Sequence, residues 1–236
     1  GSTRARPAMT PWKQLRLIAA PELDRLPLSP SMRSAFLRAQ DVLLHAGLSQ
    51  VKVALPSLKR LSFLWLSCLQ AGDAEQFGAI IGGGKPLSLT RETLGLWRGR
   101  AAHSGPALAL HGLERVATPF TKLLPSFGRT IRARQASYNA ALGLDGVMLY
   151  PSFVRTAPKH GQAFKHLLQM HLNTAFSVLE LPVTQVPLGL DHEGLPVGVQ
   201  VIAGHGQDAL CFQVAEFLER ALGGWSPPPR FAAASN

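Results

Sequence analysis

The sequence predicts an α/β fold in which a mixed β-sheet is flanked by helices on both faces. Three observations lead to this class. A strand, a helix and a second strand follow one another between residues 14 and 55, which is the pattern of an α/β unit. Several later runs are apolar at nearly every position, so both faces of those strands must be covered. Residues 181–203 form two β-branched runs around a short polar turn, which is typical of a hairpin.

The first α/β unit has clear boundaries. Residues 14–19 end in an apolar run and predict a buried strand. Ser29 and Pro30 form a helix start, with serine as N-cap and proline in the first turn. Gly47 stands where a left-handed cap ends that helix, and residues 51–55 alternate as a short strand. The helix carries one apolar stripe, formed by Met32, Phe36, Ala39, Leu43 and Ala46.

The remaining elements follow from the same rules. Helices are predicted where apolar residues recur every three or four positions, at residues 58–69, 129–142, 167–178 and 208–222. Strands are predicted at residues 146–150, 183–190 and 197–203. Residues 70–126 and 151–162 contain many glycines and prolines and predict short helices or irregular structure. The last helix has an apolar stripe formed by Leu210, Val214, Phe217, Leu218 and Ala221.

Length predicts one or two domains and composition predicts a folded globular protein, with residues 1–10 disordered or derived from an expression tag. The chain has 24 basic and 14 acidic residues, for a formal charge of +10. That charge attracts anionic partners, but its basic residues are dispersed and no nucleic-acid-reading motif accompanies them. We therefore expect no specific nucleic-acid partner and at most peripheral contact with a membrane.

Cysteine content and hydropathy indicate an intracellular protein, either cytoplasmic or peripheral to a membrane. Cys68 and Cys211 both lie in apolar runs, which favours buried free thiols over a disulfide. Residues 1–10 do not have the pattern of a signal peptide. The longest apolar stretch, residues 61–69, is far short of the ~20 residues that a spanning helix needs.

Motifs for chemistry are weak. Gly82–Gly84 and Lys85 suggest a phosphate loop, but Ala79 and Pro86 break the required pattern. The histidines lack metal-ligand spacing. His103 beside Ser104, and His192 between two carboxylates, could imitate acid–base groups, yet a solvated turn explains His192 better. A structural role also explains Ser152 and Lys159 better than catalysis does, because isolated serines and lysines are common. A nucleophile elbow is absent from the sequence.

Three blocks give the sequence a specific resemblance. They are Asp-Gly-Val-Met-Leu-Tyr-Pro-Ser-Phe-Val-Arg-Thr-Ala-Pro-Lys-His at 145–160, the helix-to-hairpin stretch at 175–204, and Glu-Arg-Ala-Leu-Gly-Gly-Trp at 219–225. In order and spacing they resemble the C-terminal part of the amidase signature family, in particular its members that act on fatty-acid amides. The match is best over residues 128–231 and looser before them. The resemblance implies that residues 1–236 are the C-terminal part of a single amidase domain.

The resemblance also implies which parts to look for. The family cleaves amide bonds with a Ser-Ser-Lys triad in which a Gly/Ser-rich loop carries the nucleophile and oxyanion donors, without metal or organic cofactor. This sequence contains no such loop, so no residue inherits a catalytic role and the chain alone is expected to be inactive. Two departures precede the hairpin: Glu180 stands where relatives usually carry Gly, and Ser177 where Asn is usual.

Two hypotheses for function follow. In the first, the chain is a segment of an amide hydrolase that supplies sheet and substrate-channel walls and needs a complementary N-terminal half or a second copy. In that case the resemblance makes Met170 and Thr174, on the helix before the hairpin, the candidates for contact with the acyl chain of an amide substrate. The alternative is a non-catalytic fragment, splice form or pseudoenzyme that acts by binding.

Overall fold

The architecture is a five-stranded mixed sheet with helices on both faces, which confirms the predicted fold class. The computed structural model describes residues 10–20, 23–58, 61, 77–105, 107–109, 111–112, 115–116, 126–159, 162 and 171–227. Strands are β1 (Arg16–Ala19), β2 (Ser49–Lys52), β3 (Gly146–Pro151), β4 (Val183–Leu190) and β5 (Pro196–Ala203). Helices are α1 (Pro30–His45), α2 (Phe77–Ile81), α3 (Leu89–Trp97), α4 (Ser126–Leu142), α5 (His171–Val178) and α6 (Asp208–Leu222).

The strand order is β2-β1-β3-β5-β4. The strand β1 runs parallel to both β2 and β3, whereas β5 is antiparallel to β3 and β4. All five predicted strands are present, although β2 lies at Ser49–Lys52 and not at the predicted residues 51–55, and β4 is one edge of the sheet. At the other edge, three of the four residues of β2 are exposed. Among the described strands, β2 pairs only with β1, so its other side is a free edge of the sheet within the described residues.

Two apolar clusters, one on each face, hold the helices to the sheet. On the first face, α1 and α6 pack over a floor of strand side chains, including Leu17, Val147, Leu149, Val199 and Val201. On the second face, α4 and α5 pack over Ile18, Met148, Tyr150 and Ile202. The inference that doubly apolar strands need cover on both sides is confirmed.

Helix α1 forms as the sequence predicted. Its N-cap Ser29 accepts a hydrogen bond from the Met32 amide at 3.4 Å. Gly47 follows the helix with φ of 107°, a left-handed conformation that glycine adopts without steric cost. The predicted stripe is buried except for Ala46, which is only half-buried. Its apolar face is what closes the first cluster.

Helix α6 has the predicted bounds, but its buried face differs from the predicted stripe. Ala221 is exposed and Phe217 is only partly buried, with its ring 4.6 Å from that of Trp12. Cys211 and Ala215 are buried instead. The predicted stripe, taken from apolar residues three or four positions apart, therefore lies slightly to one side of the helix face that packs on the sheet. The predicted helix over residues 58–69 lies almost wholly outside the described residues, and α4 begins at Ser126, three residues before its predicted start.

An ion pair joins the start of β1 to the turn before β3. Arg16 donates from Nε and Nη2 to the two carboxylate oxygens of Asp145, at 2.8 and 2.6 Å, and from Nη2 to the Leu142 carbonyl at 3.2 Å. The hydrogen bond with Arg16 lowers the pKa of Asp145. This two-point contact helps to set the parallel register of β1 and β3.

The end of α5 explains one of the two departures from the amidase pattern. Glu180 has φ of 55°, a left-handed backbone in which glycine is usual. The Glu180 amide donates to the Ser177 carbonyl at 3.2 Å and the Leu181 amide to the Phe176 carbonyl at 3.2 Å. Leu181 and Phe176 are both buried on the second face. This arrangement is a Schellman cap, and here a residue with a Cβ occupies its strained position.

Replacing Glu180 by glycine is therefore expected to stabilise the chain by about 0.5–1 kcal/mol, since the left-handed conformation would no longer carry strain. Urea unfolding of the wild type and of Glu180→Gly measures the difference. Glu180→Ala is the control, because it removes the carboxylate and keeps the strain. Equal stabilisation by alanine and by glycine would contradict the strain argument.

Candidate substrate-channel wall

Helix α5, which packs on the second face of the sheet, carries the predicted channel residue Thr174. Thr174 is buried, whereas its neighbour Asn173 is exposed. The same helix carries Phe176, whose ring packs edge-on against the ring of Tyr150 with 5.1 Å between the ring centroids. Met170, the other predicted channel residue, lies outside the described residues. Of the two candidates, the structure locates only Thr174, on a helix fixed by aromatic packing.

A buried amide links this helix to the sheet. The Gln200 side chain on β5 donates from Nε2 to the Pro151 carbonyl at 3.2 Å and to Asn173 Oδ1 at 3.3 Å. Gln200 is a polar residue within an otherwise apolar, buried strand. Because an unpaired buried amide is costly, these bonds account for its place in the core. They also hold Asn173 beside the carboxyl end of β3.

A second amide extends the same cluster. Ser152 Oγ donates to Gln185 Oε1 at 2.6 Å, and Gln185 pairs with Gln200 across β4 and β5. Gln185 lies over Gly198: a Cβ added at that glycine would come within 2.5 Å of Gln185 Nε2. Any side chain at position 198 would therefore displace Gln185. Gly198 is required here for close approach, not for backbone flexibility.

The polar cluster that includes Asn173, the residue before Thr174, is neutral in charge. Its groups are side-chain amides, one hydroxyl and a backbone carbonyl, which can recognise a polar uncharged ligand group by hydrogen bonding. Ser152 donates its proton to an amide oxygen, which is not a base, so its hydroxyl is not activated as a nucleophile. Among the described residues there is also no group of three or more His, Cys, Asp or Glu side chains that could hold a metal ion.

The other motifs weighed in the sequence have structural roles. The amides of Gly83 and Gly84 donate to carbonyls of α2 at 3.2 and 2.8 Å, so they cap that helix and are not available to cradle a phosphate. His192 is exposed at the tip of the β4–β5 turn. Asp191 shapes that turn by accepting from the Leu195 amide at 2.9 Å, and this backbone hydrogen bond is the main reason its pKa is lowered.

The buried thiol of Cys211 is unsuited to chemistry. Cys211 is a free cysteine on α6 and is almost fully buried. Desolvation raises its pKa to about 12, so the reactive thiolate is scarcely populated at neutral pH. Its role is packing, as the sequence predicted. Cys68 lies outside the described residues.

His103 forms an acid–base pair, but far along the chain from Thr174. Its Nδ1 is 3.1 Å from Glu92 Oε2 and its Nε2 is 2.9 Å from the Ile81 carbonyl. Both ring nitrogens thus face acceptors, and only the protonated imidazolium can donate to both. Accordingly, the hydrogen bond with Glu92 raises the pKa of His103 and lowers that of Glu92. The pair ties α2, α3 and the following loop together.

A cavity of about 460 Å³ lies at a different place from the polar cluster. It opens between α1 and the sheet edge, over β1 and β2, and its lining includes Leu17, Phe36, Gln50 and Lys52. Thr174 is not among its lining residues. The predicted channel residue and the cavity therefore do not coincide within the described part of the chain. The cavity adjoins the exposed edge strand β2 instead.

The sequence located helix α5 and the hairpin but not their polar contacts. Gln200, Gln185 and Asn173 were not predicted as site residues. Gln200 carried a usable signal, since it interrupts a run of apolar residues in a doubly buried strand. Asn173 and Gln185 carried no such signal, because exposed amides are ordinary at helix surfaces and on edge strands.

The His103–Glu92 pair predicts a pH-dependent stability. The raised pKa of His103 contributes stability to the folded chain. This stability is fully present below the ordinary pKa of 6.5 and is lost as the pH rises through the pKa of the folded state. The lowered pKa of Glu92 contributes stability that is present above the ordinary pKa of 4.5 and is lost as the pH falls through the pKa of the folded state. The destabilisation caused by His103→Gln should therefore be largest near pH ~5.5 and smaller at pH ~8.

Thermal unfolding across that pH range measures this difference. His192→Gln is the control, since it removes an exposed imidazole from the hairpin tip. A loss of stability in His103→Gln that stays constant from pH ~5 to pH ~8 would show that the imidazolium is not the form that makes these contacts.

The sequence of the chain is similar to that of known amidases. Residues 5–212 match the family model described as Amidase. The chain is 34% identical over 191 residues to fatty-acid amide hydrolase 2 of Homo sapiens, which covers 78% of this chain and 36% of that protein. It is 30% identical over 227 residues to fatty-acid amide hydrolase 2-A of Danio rerio, covering 92% of this chain and 42% of the relative. The chain thus spans about two fifths of the length of these curated relatives.

Solved structures agree on the fold. A crystal structure of an amidase superposes with a TM-score of 0.64 at 18% identity, covering 89% of this chain and 46% of that one. A fatty acid amide hydrolase superposes with a TM-score of 0.57 at 16% identity, covering 93% and 42%. None of the helices within the described residues has both the length and the apolar character needed to cross a membrane. From the family match and these folds, the chain belongs to the amidase family, as its hairpin block predicted.

Proposed function

We propose that this chain is part of an amide hydrolase and forms one wall of its substrate site. Three findings support the proposal: membership of the amidase family, similarity to fatty-acid amide hydrolase 2, and the neutral polar cluster that includes Asn173, the residue before Thr174. The cluster carries most weight, because paired amides and a hydroxyl suit an uncharged amide substrate. The substrate class proposed is a fatty-acid amide or another small amide.

In this proposal the wall has an apolar and a polar part. Thr174 and Met170 contact the acyl chain, and the Asn173–Gln200 pair borders it on the polar side. Support comes from the burial of Thr174 and from the 3.3 Å contact that fixes Asn173. The reaction needs no metal or organic cofactor, since amide hydrolysis by acyl transfer uses only a nucleophile, a base and oxyanion donors.

The reactive groups are proposed to come from outside these 236 residues. The sequence contains no Gly/Ser-rich catalytic loop, and Ser152 is bonded to an amide instead of a base. On this proposal, residues 1–236 are the C-terminal part of one amidase domain. The exposed edge of β2 and the cavity beside it support docking of a complementary N-terminal half, or of a second copy, on that side of the sheet.

An alternative function is a non-catalytic binding module, arising as a fragment, splice form or pseudoenzyme. The observation that favours it is that all five strands pair, and both faces of the sheet are covered, within this one chain. The intact mass of the protein in its native cell separates the two functions. We propose an intracellular location for either, cytoplasmic or peripheral to a membrane, on the basis of the free buried Cys211.

The isolated chain is expected not to hydrolyse a fatty-acid amide. Without nucleophile, base and oxyanion donors, a substrate wall supplies too little transition-state stabilisation. Ammonia release from oleamide measures this, with the full-length human relative as positive control. Turnover by the purified chain that disappears in Ser152→Ala would contradict the proposal, because it would locate a complete catalytic site within these residues.

Binding tests the wall separately from catalysis. A photoreactive fatty-acid amide is expected to label the peptide that contains residues 171–178, and excess oleamide is expected to prevent that labelling. Mass spectrometry of the digested chain locates the label. If excess oleamide prevents labelling but the label lies only in peptides without α5, this helix is not the wall. That result is independent of whether the chain is active.

A further inference from the structure

The cavity between α1 and the sheet is built from one side of the helix and one face of the edge strands. Its helical wall consists of residues three or four positions apart, which share one side of α1: Arg33, Phe36, Leu37 and Gln40. Its sheet wall follows the parallel register of β1 and β2, in which Leu17 pairs with Gln50 and Ala19 with Lys52. Because alternate residues of a strand share a face, these side chains lie on the same side of the sheet. Two regular elements therefore fix most of the cavity.

The interior of the cavity is apolar. Leu17, Phe36 and Leu149 line it and are buried, whereas Leu37 also lines it and is 49% exposed, where the cavity meets solvent. The volume of about 460 Å³ is near the lower end of the range of about 300–1,000 Å³ that is usual for small-molecule sites. Such walls gain free energy when an apolar ligand removes them from water.

Two cations lie on the same lining, and neither has a carboxylate partner among the described residues. Arg33 donates from Nη2 to the Leu26 carbonyl at 3.1 Å, which leaves the other guanidinium donors open to a ligand. Lys52 is exposed at the end of β2, and within the described part of the chain its ammonium group makes no hydrogen bond. The described lining contains no acidic residue. The cavity thus offers positive charge beside an apolar interior.

We propose that this cavity binds the anion of a medium-chain fatty acid, with its carboxylate at Arg33 and Lys52 and its alkyl chain against the apolar walls. A guanidinium fork and an ammonium group both suit a carboxylate. A neutral lipid would leave the two cations without a counterion, and inorganic phosphate would leave the apolar walls in water. The site is separate from the proposed wall at Thr174 and does not depend on amide hydrolysis.

Isothermal titration calorimetry with saturated fatty acids tests this site. Decanoate is expected to bind about tenfold more tightly, or better, than decanamide, which has the same chain without the charge. Lengthening the ligand from hexanoate to decanoate should tighten binding by up to about fourfold per methylene, because each buried methylene group adds transfer free energy. Added salt should weaken the binding of decanoate, since part of the attraction is electrostatic.

Three substitutions locate the ligand. Arg33→Gln and Lys52→Gln each remove one cation and should weaken decanoate binding by about fivefold or more. Leu37→Glu places a negative charge where the cavity meets solvent and should weaken binding more than either of them, because it repels the carboxylate. Circular dichroism and urea unfolding check that each variant folds like the wild type.

Matched controls make the same chemical changes away from the cavity. Arg38→Gln and Lys85→Gln each remove an exposed cation, and Leu94→Glu replaces a leucine that is 45% exposed on α3. All three should bind decanoate like the wild type. Undetectable binding of decanoate, equal binding of decanamide or of inorganic phosphate, or equal losses in cavity and control variants would each overturn the proposal. So would wild-type affinity in the three cavity variants, since the ligand would then lie elsewhere, for example at α5.

Discussion

The structure depends on the burial of β3 and β5 from both faces of the sheet. All six residues of β3 and seven of the eight residues of β5 are buried. Such strands cannot exist without apolar cover on each side, so they require α1 and α6 on one face and α4 and α5 on the other. Gly146 and Gly204 show how tight this cover is, because an added Cβ at either position would collide with carbonyls at the end of α4.

This constraint also creates the candidate wall. Helix α5 is fixed on the second face because Phe176 packs on Tyr150 and because a Schellman cap, closed by the Leu181 amide, follows the last helical residue Val178. Gln200 can then be buried only where a helix residue and a strand carbonyl satisfy its amide, and Asn173 and Pro151 do so. The polar cluster thus follows from the sheet. The edge strand β2 lies outside this doubly covered region, and the cavity opens beside it.

Local signals in the sequence predicted most of the framework. Ser29-Pro30 and Gly47 marked the two ends of α1, and the hairpin strands were predicted within one residue of their bounds. Contacts between residues that lie far apart in the sequence could not be predicted from such local signals. Arg16 meets Asp145, and His103 meets Glu92, only because the fold brings their elements together. The exposure of Ala221 likewise depends on how α6 lies across the sheet, which helical periodicity does not specify.

Native-state hydrogen exchange tests most directly whether the doubly buried strands are the framework. Amides of β3 and β5 that bond neighbouring strands should exchange only through global unfolding, with a free energy equal to that from urea unfolding. The outer amides of β2 and those of α3 should exchange through smaller openings, because few buried contacts hold them. Exchange in β3 as fast as in β2, with urea stability unchanged, would contradict the account.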